Sequence, residues 1–132
     1  MDQPDIPSVF VRDGEFYVPT RSAPGPWDPG NLHGGPTAGL LARAIEQVGG
    51  ADGLHPARLT VDLFRAVPMR PLSVRSELLR DGKRIRVAQA SLFDGTVEVA
   101  RASGLFLQQR AMPEMEAWPD TPVPGPDGFA TS

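Results

Sequence analysis

Residues Asn31 to Gly39 read NLHGGPTAG and run directly into LLARAIEQV, residues Leu40 to Val48. The second part of this stretch decides the fold class. From Pro36 to Val48, apolar residues recur at Ala38, Leu41, Ala42, Ile45 and Val48, which is the spacing of one face of a helix. Pro36 suits a first helical turn, where the N–H it lacks would have no partner, and Gly49-Gly50 ends the run. Gly39, inside the helix, costs about 1 kcal/mol relative to Ala. Such a glycine marks a close approach by another backbone or a ligand, or it is chance. The first part of the stretch poses a second question. A histidine and two glycines before a helix form either a tight turn or a ligand site on the positive helix end.

After the helix the period changes to two. ARLTVDLFRAV places Leu59, Val61 and Leu63 on one face and Thr60, Asp62 and Phe64 on the other. LSVRSELLR alternates through Leu72, Val74 and Leu78, and KRIRVAQASLF and VEVARASGLFLQ continue the pattern. Asp81-Gly82 and Asp94-Gly95 read as two-residue hairpin turns, whose central positions must tolerate positive φ. These segments predict a four-stranded antiparallel meander. VFVRD and EFYVPT, split by Asp13-Gly14, predict a further short hairpin. A single helix can bury its apolar stripe only across a sheet that curls around it, so the order predicts an α+β fold of that kind.

The chain has 132 residues, most simply one domain with a real core. It has no Cys, which excludes disulfides, thiolate metal sites and Cys nucleophiles, and His33 and His55 lie too far apart to suggest a metal site. A net charge of −3 gives no electrostatic reason to expect nucleic acid or an anionic membrane. All 13 basic residues but Lys83 are Arg, a bias that genome composition explains as well as phosphate binding does. No secretory signal and no membrane-length apolar run is present, so a soluble cytoplasmic protein is expected. Pro113 to Gly128 carries five Pro. Residues 1–110 are therefore expected as the domain and 111–132 as a Pro-rich linker or disordered tail.

Three stretches bear a family likeness: GPWDPGNLHGGPTAGLLARAIE, LTVDLFRAVPMRPLSV and LLRDGKRIRVAQASLFDGTVEVARAS. Together they cover most of residues 26–107, and the chain resembles the acyl-CoA thioesterase-like hotdog superfamily. Within it the chain is most similar to the N-terminal half of double-hotdog acyl-CoA thioesterase II type proteins. The resemblance implies a hotdog fold, with two hotdogs side by side in one continuous sheet and the active site where they meet, near the helix N-terminus. It therefore implies a homodimer or pairing with a second hotdog domain. The Pro-rich tail sits where double-hotdog relatives carry the linker to their second half.

Thioester hydrolysis needs donors aimed at the developing oxyanion, an activated water or a carboxylate nucleophile, and a groove for the acyl chain and pantetheine. Gly34 and Gly35 let the backbone approach a carbonyl, and their N–H groups, with those of Thr37 and Ala38, point out of the helix start. His33 either hydrogen-bonds the carbonyl or a water, or simply fixes the entry to the helix. The catalytic set is thus His33, Gly34, Gly35 and Thr37, while His55 reads as a surface residue. Single-hotdog relatives carry Asp or Glu two helical turns after the histidine; here Leu41, Ala42 and Arg43 stand there. Glu46 lies a turn further and is expected to pair with Arg43, which leaves Asp28 and Asp62 as the other acids. In double-hotdog relatives the catalytic Asp belongs to the other half. Arg80, Lys83 and Arg84, at a hairpin tip, are the candidate contacts to CoA phosphates, or else ordinary solvated charge. Leu40, Leu41 and the strand faces are candidates for an acyl tunnel.

The expected activity is hydrolysis of an acyl-CoA or related acyl thioester, with CoA as part of the substrate and no metal or other cofactor. The alternative is a non-catalytic acyl-thioester-binding or structural hotdog whose partner half carries the acid.

Overall fold

A computed structural model describes residues 8–114 together with Pro122 and Gly125. Six strands and one long helix follow in the order β1 (Phe10–Asp13), β2 (Phe16–Pro19), α1 (Gly34–Gly49), β3 (Leu54–Leu63), β4 (Leu72–Asp81), β5 (Ile85–Asp94) and β6 (Val97–Gln108). All pair antiparallel in one sheet of order β1-β2-β4-β5-β6-β3. The helix lies across one face, the arrangement implied by the resemblance. Residues 109–114 carry no regular structure, and most of the expected tail lies outside the described residues.

The helix begins at Gly34, two residues before the apolar spacing predicts, because His33 serves as N-cap. Its buried face is Thr37, Leu40, Leu41, Ala44, Ile45 and Gly49. Leu40 and Leu41 are thus core residues. Beneath them the sheet offers small side chains, Ala88 and Ala90 from β5 and Ala100, Ala102 and Gly104 from β6, all buried. Small residues let the helix sit close. A Cβ added at Gly104 would overlap Ile45 Cγ2, and one added at Gly49 would overlap the Phe106 ring. Gly39 is the opposite case: nothing lies within 4 Å of its would-be Cβ, so no close approach explains it.

The meander holds for β4, β5 and β6 only. β3 pairs with β6 and forms the sheet edge, from Leu54 opposite Gln108 to Leu63 opposite Ala100. The physical reason is the connection between β3 and β4. Residues 64–71, with Pro68 and Pro71, are too long and too Pro-rich for a tight hairpin, and they cross the end of the sheet instead. Two of the turns take a different form from the one predicted. Gly14 (φ 58°) and Gly95 (φ 59°) hold the first central position, followed by Glu15 and Thr96, which have negative φ, as a type II′ turn requires. Asp81-Gly82 belongs to a longer connection, Gly82 to Arg84, and Gly82 has no positive φ.

Candidate functional site

The crossover and the loop before α1 hold each other at one end of the sheet. Leu32 N–H donates to Val67 O (2.8 Å) and Met69 N–H to Gly30 O (2.9 Å), while Val67 is buried. Within the loop, His33 N–H donates to the carbonyl of buried Ala23 (3.0 Å) and Gly25 N–H to Asn31 O (2.9 Å). The Asp28 carboxylate accepts from Gly30 N–H (2.8 Å) and from the Asn31 side-chain amide. This is an Asx-type turn, so Asp28 is a structural acid that shapes the loop.

The helix start supplies the chemistry. His33 is extended (φ −65°, ψ 150°), and its Nδ1 accepts a hydrogen bond from Gly35 N–H at 3.2 Å. Ahead of the first intrahelical donor stand three residues, Gly34, Gly35 and Pro36. Pro36 has no N–H and the Gly35 amide is capped, so Gly34 provides the one amide there without a partner among the described residues. The amides of Thr37 and Ala38, expected to point outward, lie instead within the helical ladder. Thr37 is buried, and its hydroxyl donates to His33 O at 3.4 Å.

Because Nδ1 is an acceptor, the neutral imidazole carries its proton on Nε2. One histidine thus does two things: it caps the helix with one nitrogen and presents an N–H donor with the other. The helix-entry reading of His33 is met by the cap, and Nε2–H is left for another partner. Neither Gly34 nor Gly35 has positive φ. Space is tight at Gly35, where a Cβ would sit 3.3 Å from His33 Nδ1, whereas one on Gly34 would make only ordinary contact with Leu63 of the edge strand at 3.5 Å.

An open cleft of about 240 Å³ adjoins these groups, lined by Gly25, Trp27, Asp28, Asn31, Leu32, His33 and Gly34. Trp27 is 87% exposed and nearly parallel to the His33 ring, with centroids 6.2 Å apart and planes at 10°. Sequence reasoning passed over Trp27. The available signal was a large aromatic in a Pro/Gly loop with no periodic segment to bury it.

No carboxylate on α1 reaches this cleft. Glu46 lies three turns along the helix from His33 and lines a separate small apolar cavity with Ile45, Leu59 and Phe106. Among the described residues it forms no ion pair with Arg43. Asp62 stands opposite Arg101 in the β3–β6 ladder, on the sheet face away from α1. There Arg101 grips Glu98 through both carboxylate oxygens (2.8 and 2.7 Å). That contact, with a hydrogen bond from Ser91, holds the Glu98 carboxyl below the usual range, and Glu98 and Asp62 raise Arg101.

Arg80, Lys83 and Arg84 do come together, in an open cleft of about 400 Å³ at the β4–β5 connection. That connection is at the other end of the sheet. Ile85 pairs with Leu107, whereas the site lies level with Leu63, Ala100 and Leu92. Seven residues of strand, roughly 23 Å, separate the two levels. The cluster and His33 do not share a cleft within one chain. His55 begins the β3 edge at that same far end.

A family model described as the acyl-CoA thioesterase N-terminal domain matches residues 23–107. No curated protein matches the chain significantly. Among solved structures, a Bacillus halodurans protein crystallised with CoA superposes with a TM-score of 0.61 at 19% identity, over 74% of this chain and 67% of that one. A hotdog-fold protein from Alicyclobacillus acidocaldarius gives 0.64 at 17% identity, and the tesB protein of Mycobacterium avium subsp. paratuberculosis 0.59 at 16%. Each of these two covers 90% of this chain, which spans only 44% and 46% of their respective lengths. These likenesses show the hotdog fold. No described helix is long and apolar enough to cross a membrane.

Proposed function

Since the chain belongs to the acyl-CoA thioesterase N-terminal-domain family, we propose that it supplies the oxyanion-binding half of an acyl-thioester hydrolase site. The observation that carries this reading is the His33 cap. It leaves Nε2–H and the unpartnered Gly34 N–H as two donors at one helix start, where the helix dipole also favours negative charge. A thioester carbonyl oxygen placed between them is stabilised as it becomes an oxyanion. Water adds to the carbonyl carbon, the C–S bond breaks, and the proton lost by water reaches the departing thiolate. The products are a carboxylic acid and a free thiol.

Asp28 lines the cleft, but its carboxylate is taken up by Gly30 N–H and the Asn31 amide, so the base for that proton is a carboxylate from elsewhere. We assign it to a second hotdog placed beside the β3 edge, either a second copy or another domain. The exposed side chains of Leu59, Leu63 and Phe64 on and just after that edge support this placement. The substrate is proposed to be an acyl-CoA, as the CoA held by the Bacillus halodurans neighbour suggests. Trp27 offers its exposed ring to the thioester arm, and no phosphate contact is assigned to Arg80, Lys83 or Arg84.

The carboxylate that lines the cleft, Asp28, is engaged in its own loop turn, which favours a second reading, an acyl-thioester-binding hotdog without turnover. Thiol release from a series of acyl-CoA esters by the full-length protein separates the two. Turnover that falls in His33→Ala supports hydrolysis. Saturable binding of acyl-CoA with no thiol release above background supports the binding module.

A further inference from the structure

A second cleft, of about 240 Å³, lies between the β1–β2 hairpin and the middle of α1. It is on the other side of the helix from the β3 edge, since β1 and β3 are the two edges of the sheet. Ser8, Val9, Phe10, Arg12, Tyr17, Leu40 and Arg43 line it. We propose that this cleft is a binding site for a small organic carboxylate, with the carboxylate held between Arg12 and Arg43 and an apolar body against Phe10, Tyr17 and Leu40.

Arg12 is set in place before any ligand arrives. Its Nε donates to Gly14 O at 3.1 Å, and its guanidinium carbon lies 5.8 Å from the Tyr17 ring centroid. The Nη groups are left as donors, and a guanidinium held flat is the form that receives carboxylates in two parallel hydrogen bonds.

Arg43 has Glu46 three residues along the helix, a spacing that permits an ion pair, yet none forms. Its side chain lines the cleft instead, one turn beyond Leu40. Among the described residues neither arginine has a carboxylate partner. Neighbouring Asp13 alternates to the other face of the hairpin, opposite Phe16.

The lower surface is apolar. Leu40 belongs to the buried core, and Phe10 and Tyr17 pack against it half-buried. Two cations above an apolar floor select an amphipathic anion over both a neutral apolar molecule and a bare inorganic ion. The volume falls short of the roughly 300–1,000 Å³ of drug-sized sites, so the ligand is limited to about ten non-hydrogen atoms. This site is independent of the hydrolase reading, because it uses none of the groups at His33.

Calorimetric titration of the full-length protein with benzoate and hexanoate, beside benzamide, hexanamide and inorganic phosphate, tests the site. The carboxylates are expected to bind with Kd below roughly 1 mM and the amides at least tenfold more weakly. Phosphate is expected to bind more weakly than either carboxylate. Arg12→Gln and Arg43→Gln should each weaken carboxylate binding about tenfold, Arg43→Lys less, and Arg84→Gln not at all. Both arginines are exposed, so circular dichroism of the variants should match the parent.

Equal binding of amide and carboxylate, equal binding of phosphate, or indifference to both arginine variants would each overturn the proposal. So would the absence of any heat up to about 10 mM ligand. Residues 1–7, which carry Asp2 and Asp5, join the chain at the cleft rim. Binding that appears only after their deletion would show the cleft closed to outside ligands in the intact chain, and would overturn the proposal as well.

Discussion

Replacing His33 by Asn and by Ala separates its two roles. The capping bond, Gly35 N–H to Nδ1, is 3.2 Å long and exposed, so its loss in His33→Ala should cost about 1 kcal/mol. For a domain of this size that lowers Tm by roughly 5 °C. Asn is among the best N-cap residues and its side-chain oxygen reaches the same amide, so His33→Asn should melt within about 2 °C of the parent. Asn does not reproduce the Nε2–H donor, which lies a ring's width further out. If that donor faces the carbonyl oxygen, thiol release in both variants should fall by roughly 10²–10³, the cost of removing one oxyanion donor. Circular dichroism melts and thiol release on the same preparations read both quantities. An Asn variant that keeps full stability and more than about a third of the parent's turnover would reduce His33 to a helix cap. An Asn variant that melts as low as Ala would refute the cap.

Three further outcomes follow from the packing and the charges. Gly39→Ala should stabilise by about 1 kcal/mol, because its Cβ meets nothing, whereas Gly104→Ala should destabilise by about 1–3 kcal/mol as it drives Ile45 off the sheet; paired melts that shift in the same direction would contradict the helix placement. Phe64 N–H donates to Val99 O, so by alternation the N–H groups of Asp62 and Thr60 also face β6 and that of Leu59 faces outward. Leu59→Pro removes an outward donor from edge strand β3 and should disrupt pairing with a second hotdog, so its mass by light scattering should drop to that of a single chain if pairing is between copies. Arg101→Gln should return the Glu98 carboxyl toward its ordinary range in a carboxyl NMR titration. The sign is that of a depressed carboxylate: its contribution to stability is present above the ordinary range and lost as pH falls through the lowered value.

Local chemistry was legible where a rule acts within a few residues, and not where partners are chosen across the sheet. Helical spacing placed α1, but not its exact start, because an N-cap histidine is less usual than Ser, Thr, Asp or Asn. Alternation in LTVDL correctly divided its faces: Leu63 reaches Gly34 on the helix side, and Asp62 meets Arg101 on the other. Alternation says nothing about which strand lies alongside. β3 passes to the far edge because residues 64–71 cross the sheet end, and the warnings were the length and two prolines of that connection and its lack of an Asp-Gly turn. The same limit explains Gly39 and Gly104, whose identical side chains have opposite surroundings.

The missing acid, by contrast, was legible as composition, since Leu41, Ala42 and Arg43 cannot act as a carboxylate wherever they point. The fold makes that absence more informative. The helix start lies beside Leu63, at the long edge of the sheet that has no neighbour among the described residues. A second hotdog added to that edge extends the sheet and brings its own side chains to His33 in the same step. Under the proposed function, acid and partner are a single requirement. A chain able to pair at β3 but bringing no carboxylate to the seam would bind a thioester and leave it intact.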